Sequence, residues 1–249
     1  MRLLIMLLLS IHLFAAPQAV KFNYPKPTYL SAKMMAWGTM YYLYSFMYSE
    51  KNQFPLLDML GNKLGPTLDE KNWCDIAMEG SVMFYNTTSN STITYNYAGK
   101  SEQEQVPCSK YFKTSPSTGK VRFKKSLGVW GEGYGDTVLI PYRSIAVDPK
   151  YIPLGSIVYI PRSRGIKVKS PTGKDIILDG YWVGNDIGGS IKGNHIDFYV
   201  GSDIKSNIDT FVTSDKNDTF SLYIVKDEVI TKELSRAITD PNYIKVGDY

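Results

Sequence analysis

Three aspartates in the second half of the chain each stand where a run of strand-forming residues meets a turn. Asp148 ends Tyr142-Arg-Ser-Ile-Ala-Val-Asp148, Asp186 begins Asp186-Ile-Gly-Gly, and Asp197 follows Asn194-His-Ile. Taken singly, each is an ordinary turn former whose carboxylate accepts local backbone N–H groups. Taken together they point to chemistry. Asp186 and Asp197 are separated by ten residues that include Gly188, Gly189 and Gly193, which let the backbone turn sharply and return. Two carboxylates can thus be brought close. Asp148 precedes Pro149, which biases it to extended backbone and lets it end a strand at the same rim. Acids crowded in a partly apolar cleft have raised pKa values, because desolvation and like charge both oppose ionisation. A carboxyl that keeps its proton near neutral pH is a general acid. On the residues alone that role is divided between Asp197 and Asp186.

Other groups invite binding roles, each with a plain alternative. Lys192 can meet substrate carboxylates or be a solvated turn residue, and His195 can donate to a ligand or pack on a rim. Trp130, Tyr134, Tyr181 and Trp182 can stack on sugar rings, although large aromatics at strand positions are more often core, so at most one is expected to do so. Glu79, with Ser81, can bind hydroxyls, but a glycine turn at Gly80 explains that stretch equally well.

The elements that must position these groups are mostly short strands. Lys33 to Tyr48 is rich in Tyr, Met and Phe and reads as strand. Asp69 to Met78 reads as a short helix capped by Thr67 or Asp69 and broken at Gly80. Extended segments are expected at Val82 to Tyr85, Thr92 to Tyr97, Thr137 to Ile140, Ser156 to Ile160, Gly165 to Lys169, Lys174 to Leu178, Gly180 to Asn185, His195 to Val200 and Thr219 to Val225. Between them, Pro107 to Gly135 turns to Lys, Ser and Gly and reads as a surface loop over the site. Asp227 to Ile238 has helical spacing. Strands this short and closely spaced favour a small closed barrel over a parallel sheet.

Composition bounds the rest. The chain has 249 residues, 43% hydrophobic and 21% charged, which excludes disorder. A formal charge of +4 is too mild to argue for nucleic acid. Leu3 to Phe14 is almost wholly apolar after Arg2, and small residues follow to Ala19, so residues 1–19 read as an export signal. About 12 apolar residues fall short of the roughly 20 that span a bilayer, and no later stretch is long enough, so no membrane span is expected once the signal is removed. In an exported chain, Cys74 and Cys108 are expected to form one disulfide, with two free buried thiols as the alternative. With two Cys and two His in the whole chain, no zinc site is expected.

The acidic segments resemble the 3D domain of the murein lytic transglycosylase A family, named for three aspartates on a double-psi β-barrel. The likeness covers about Val138 to Gly201, and Asp186-Ile-Gly-Gly-Ser-Ile-Lys-Gly-Asn-His-Ile-Asp197 follows the family pattern with both acids and three glycines in register. Upstream, Ala36-Trp-Gly-Thr-Met-Tyr-Tyr42 and Trp73-Cys-Asp-Ile-Ala-Met-Glu-Gly-Ser81 resemble segments of small exported 3D-domain proteins. The resemblance implies cleavage of the β-1,4 bond between N-acetylmuramic acid and N-acetylglucosamine without water, ending in a 1,6-anhydro ring. It maps the single general acid and base onto Asp197, with Asp186 and Asp148 orienting it. Many larger family members carry an inserted second domain and a lipid anchor, neither of which this chain has in full.

The expected molecule is therefore mainly β. A six-stranded double-psi β-barrel over residues 137–226 follows a region at 20–136 that adds strands and groove wall, and a helix and tail at 227–249 complete it. It is read as a monomer, exported to the periplasm or beyond the cell, that acts on peptidoglycan glycan strands without cofactor or metal. Two rivals stand beside this reading. One is a non-catalytic glycan-binding barrel, which could dispense with a protonated acid. The other is an aspartic protease, since Asp186-Ile-Gly-Gly loosely resembles its motif, but with one copy present it would need two chains.

Overall fold

The computed structural model describes residues 20–202 and 207–243. The expected export signal at 1–19 and the last six residues of the tail lie outside the described residues. The first half of the chain gives β1 (Met34–Tyr41), β2 (Tyr44–Met47), β3 (Phe54–Leu57), β4 (Lys63–Leu68), α1 (Glu70–Glu79), β5 (Ser81–Asn86), β6 (Ser91–Lys100) and β7 (Val121–Lys125). The second half gives β8 (Ser144–Ala146), β9 (Ile157–Tyr159), β10 (Lys167–Lys169), β11 (Asp175–Ile177), β12 (Tyr181–Asp186), β13 (His195–Tyr199), β14 (Phe220–Ile224) and α2 (Glu228–Thr239). No helix among the described residues is long and apolar enough to cross a membrane.

Six strands close into a barrel in the order β1-β13-β8-β12-β9-β14, the closed, mainly β architecture expected. Pairing is mixed: β1 runs parallel to β13 and β8 parallel to β12, while the other four pairs are antiparallel. The barrel core is built by alternation, with Ala36, Ile145, Val158, Ile196, Phe198 and Leu222 all buried. Gly38 shows how tightly β1 is laid on it, because a Cβ there would meet the Phe198 ring at 2.6 Å. Any side chain at that position pushes β1 away from β13. Helix α2, capped by the Asp227 carboxylate, buries Ile230, Leu234 and Ile238 against this body.

A second hydrophobic cluster is formed by the four-stranded sheet β2-β5-β6-β7, the hairpin β3-β4 and α1. Helix α1 begins where Asp69 accepts from the Asn72 N–H at 3.0 Å and ends at Gly80, as its sequence signals require. Cys74 on α1 and Cys108 are joined by a disulfide, both fully buried in this cluster.

Three local expectations are corrected. Val121–Lys125, inside the stretch read as loop, is a strand; its buried Arg122 obscures the pattern but donates to the backbone carbonyls of Val121 at 2.9 Å and Gln103 at 3.3 Å. Thr137 to Ile140 is not a strand, because its N–H groups are taken elsewhere: Val138 donates to Ile238 at 2.8 Å and Leu139 to Gly131 at 3.0 Å. The segments at Lys167–Lys169 and Asp175–Ile177 do form strands, but as a separate hairpin beside the barrel.

Candidate active site

Strands β1 and β13 lie parallel with Trp37 opposite His195, Thr39 opposite Asp197 and Tyr41 opposite Tyr199. Since Ala36, Gly38, Ile196 and Phe198 take the inner face, these six residues share the outer one. Each pair is in contact. The Trp37 and His195 rings stack 3.7 Å apart at 6°, the Thr39 hydroxyl donates to Asp197 Oδ1 at 2.6 Å, and the Tyr41 and Tyr199 rings lie 5.0 Å apart. Strand β8 sits on the other side of β13, and its Ala146 pairs with both Asp197 and Asp186. The two acids therefore flank one small residue at the same level. A register shift between Gly184 and Asp186 turns the end of β12, and Asp186 Oδ2 accepts from the Tyr41 hydroxyl at 2.7 Å while Oδ1 accepts from the Ile187 N–H at 2.8 Å.

Neither acid has a cationic partner among the described residues, and both hold their protons more tightly than usual. Burial pushes Asp197 up to about 6 against the pull of the Thr39 bond, and the charge of Asp186 adds to the rise. Burial likewise pushes Asp186 up to about 6, opposed by Tyr41 and the Ile187 N–H. Burial, then the Asp186 charge, drives the Tyr41 and Tyr199 phenols well above their ordinary value, so they remain donors. Glu79, at the end of α1, approaches from the second cluster. It is open to solvent, yet the protein around its carboxyl raises its pKa, and the charges of Asp197 and Asp75 add to that.

Asp148 departs from the expected trio. Its carboxylate accepts from the Gly193 N–H at 2.8 Å and the Lys150 N–H at 3.0 Å. Those two bonds, with Lys192 and Lys150 adding their charge, hold it below the usual aspartate range rather than above it. It clamps the turn that carries Asp197 back beside Asp186. In that turn a Cβ on Gly188 would meet Ile191 at 2.6 Å, whereas Gly189 faces open space. Lys192 is exposed and lends its charge to Asp148.

The aromatic candidates separate cleanly. Trp182 and Trp130, read as sugar-stacking residues, are 1% and 2% exposed and belong to the core. Trp182 donates to Ser163 Oγ at 2.9 Å and packs on Phe198, while Tyr181 donates from its hydroxyl to the Pro25 carbonyl at 2.7 Å. The loop that carries Trp130 is fixed by Asn96, which bonds both backbone groups of Glu132, and by the Asn185 carbonyl, which accepts from Tyr134 N–H. Only Tyr134 of the four, at 54% exposed, is available for stacking. Trp37, Thr39 and Tyr41, which touch His195 and both acids, lie in the Ala36–Tyr42 segment whose resemblance the sequence shows, but nothing in the sequence assigns them a place at the site.

The small barrel thus presents two neighbouring acids, Asp186 and Asp197, that hold their protons more tightly than usual. Residues 143–216 match the 3D domain family, and the fold is similar to that of MltA from Neisseria gonorrhoeae. MltA from Neisseria gonorrhoeae is 14% identical at a TM-score of 0.50, over 78% of this chain and 73% of that one. Escherichia coli MltA with bound chitohexaose gives 14% identity and a TM-score of 0.49, over 76% and 71%. A membrane-bound lytic murein transglycosylase from Agrobacterium tumefaciens gives 10% and 0.48, over 80% and 76%. No curated protein matches the chain.

Proposed function

We propose that this protein is a peptidoglycan lytic transglycosylase, exported to where glycan strands lie, with Asp197 as its general acid and base. One observation carries the reading: Asp197 is half-buried, raised to about 6, and partnered by a hydroxyl and a second acid instead of a cation. In the reaction, the protonated carboxyl gives its hydrogen to the bridging oxygen as the bond from C1 of N-acetylmuramic acid breaks. The C6 hydroxyl oxygen of the same sugar closes on C1, and its hydrogen passes to the carboxylate. Atoms balance without water, and the acid is restored. Asp186, held by Tyr41 and the Ile187 N–H, is the charge that favours the positive character developing at C1. Tyr134, and Glu79 across from Asp197, are the residues assigned to meet the glycan. The fold shared with MltA and the 3D-domain match support the substrate class.

The test is mass spectrometry of purified sacculi after incubation. Anhydro-muropeptides are expected, and D197N should lower their release by about 10³-fold, within the range general acid catalysis supplies. Reducing-end products would assign a hydrolase, and binding of sacculi without any product would assign a glycan-binding barrel.

A further inference from the structure

The Thr39 hydroxyl, 2.6 Å from Asp197 Oδ1, also lies 2.9 Å from His195 Nε2. A hydroxyl has one hydrogen, so it donates to only one of these two neighbours. With Nε2 turned to Thr39, Nδ1 is the ring nitrogen left to donate to the Ser190 backbone, a bond that favours a proton on the ring. Two arrangements satisfy every group. In one, Asp197 is ionised, Thr39 donates to it, and the imidazolium donates from both nitrogens. In the other, protonated Asp197 donates to Thr39, Thr39 donates to Nε2, and neutral His195 keeps its hydrogen on Nδ1. Both contain the same number of protons.

We propose that Asp197, Thr39 and His195 share one proton, and that His195 is a positioning residue which keeps Asp197 loaded by accepting from Thr39. In the exchange the Nε2–H bond breaks as Oγ1 takes that hydrogen, and the former hydroxyl hydrogen forms the new O–H bond on Asp197. In water an imidazole outcompetes a carboxyl for a proton by more than two pKa units. Burial narrows that gap here, since it lowers His195 and raises Asp197. The geometry is firm because Thr39 and Asp197 are register partners on neighbouring strands and the imidazole is stacked on Trp37. The other titratable groups facing the chain are Asp186 on β12, Tyr41 on β1, Glu79 at the end of α1, and Lys192 and Asp148 at the turn before β13. This proton sharing deepens the catalytic reading of Asp197 and, for its kinetic part, rests on it.

Ring-nitrogen NMR of His195 tests the sharing without any need for turnover. The wild-type signals should shift in two steps with pH, one following Asp197, and D197N should leave one step. A single step at the same midpoint in both proteins overturns the proposal. In muropeptide release from sacculi, H195F keeps a ring on Trp37 but accepts nothing from Thr39, so Thr39 turns permanently to the carboxylate. The alkaline limb of the pH–rate profile should then fall by about one pH unit, close to a tenfold loss above it that shrinks toward pH 5. H195Q, whose amide oxygen accepts from Thr39, should return the limb toward its wild-type position. An equal loss at every pH in H195F overturns the positioning role. A wild type without product at any pH overturns the transglycosylase reading instead, and the NMR result then decides the proton chain by itself.

Discussion

Asp179 and Asp197 sit on one barrel and are held in opposite ways. Asp179 is buried and takes four donors: Arg143 at 2.5 and 2.8 Å, the Tyr24 N–H at 3.1 Å and the Tyr181 N–H at 3.2 Å. Arg143 in turn bonds the Tyr181 and Lys21 carbonyls and lies over the Phe22 ring. This end of the barrel is a clamp on the segment entering β1. Asp197 receives one hydroxyl, stands near another acid, and keeps an ionisation that responds to pH. Residue type is the same, so the partner decides: a fork of cationic donors makes an aspartate structural, and its absence leaves a proton to give.

Breaking the clamp should produce the largest effect. R143M leaves the Asp179 carboxylate buried without its cation, a change that costs about 3–5 kcal/mol. For a chain of this size that is a fall in Tm of roughly 10 °C, measured by thermal unfolding at pH 7. Removing both partners, as in R143M with D179L, should recover most of the loss. If the single variant unfolds within a degree or two of wild type, the clamp contributes nothing and the contrast with the Asp197 end fails.

The Asp197 end should respond in the other direction. A carboxyl raised from near 4 to about 6 binds its proton more tightly in the folded state. That contribution is complete below pH 4 and is lost as pH rises toward 6. D197N carries no charge at any pH, so above pH 6 it should be more stable than wild type, by about 1–2 kcal/mol once partial exposure is allowed for. The difference should vanish near pH 4. Denaturant unfolding at pH 4 and pH 8 checks both the size and the sign.

How far such differences could be read in advance depended on distance along the chain. The turn from Asp186 to Asp197 and both helices were legible because their signals are local: glycines between two acids, Asp69 before α1, Asp227 before α2. The barrel was legible as a class from its short strands. Thr39 and Tyr41 were not, since a Tyr- and Met-rich strand says nothing of the register that brings it against acids more than 140 residues later. Arg143 and Asp179, 36 residues apart, carried no spacing signal either. Trp130 and Trp182 failed as sugar platforms because an aromatic at a strand position suits core and surface equally, and only their burial, with Trp182 packed on Phe198, separates the two.

Asp148 makes the finest cut, because it lies near Asp186 and Asp197 but takes backbone donors, as a clamp does. Its folded pKa is depressed by the Gly193 and Lys150 N–H groups. It therefore stabilises the fold above its unfolded value, near 4, and that contribution is lost as pH falls through the lower folded value. D148N can keep one N–H bond through its amide oxygen and loses the other. The drop in Tm at pH 7 should be the smallest of the three, within about 2 °C, and should shrink as pH falls below the unfolded value. Amide exchange at Gly193 should quicken in the same variant, since the bond that ties the turn to β8's end is the one weakened. Unchanged exchange at Gly193, with activity reduced as far as in D197N, would instead move Asp148 from the clamp to the reacting acids.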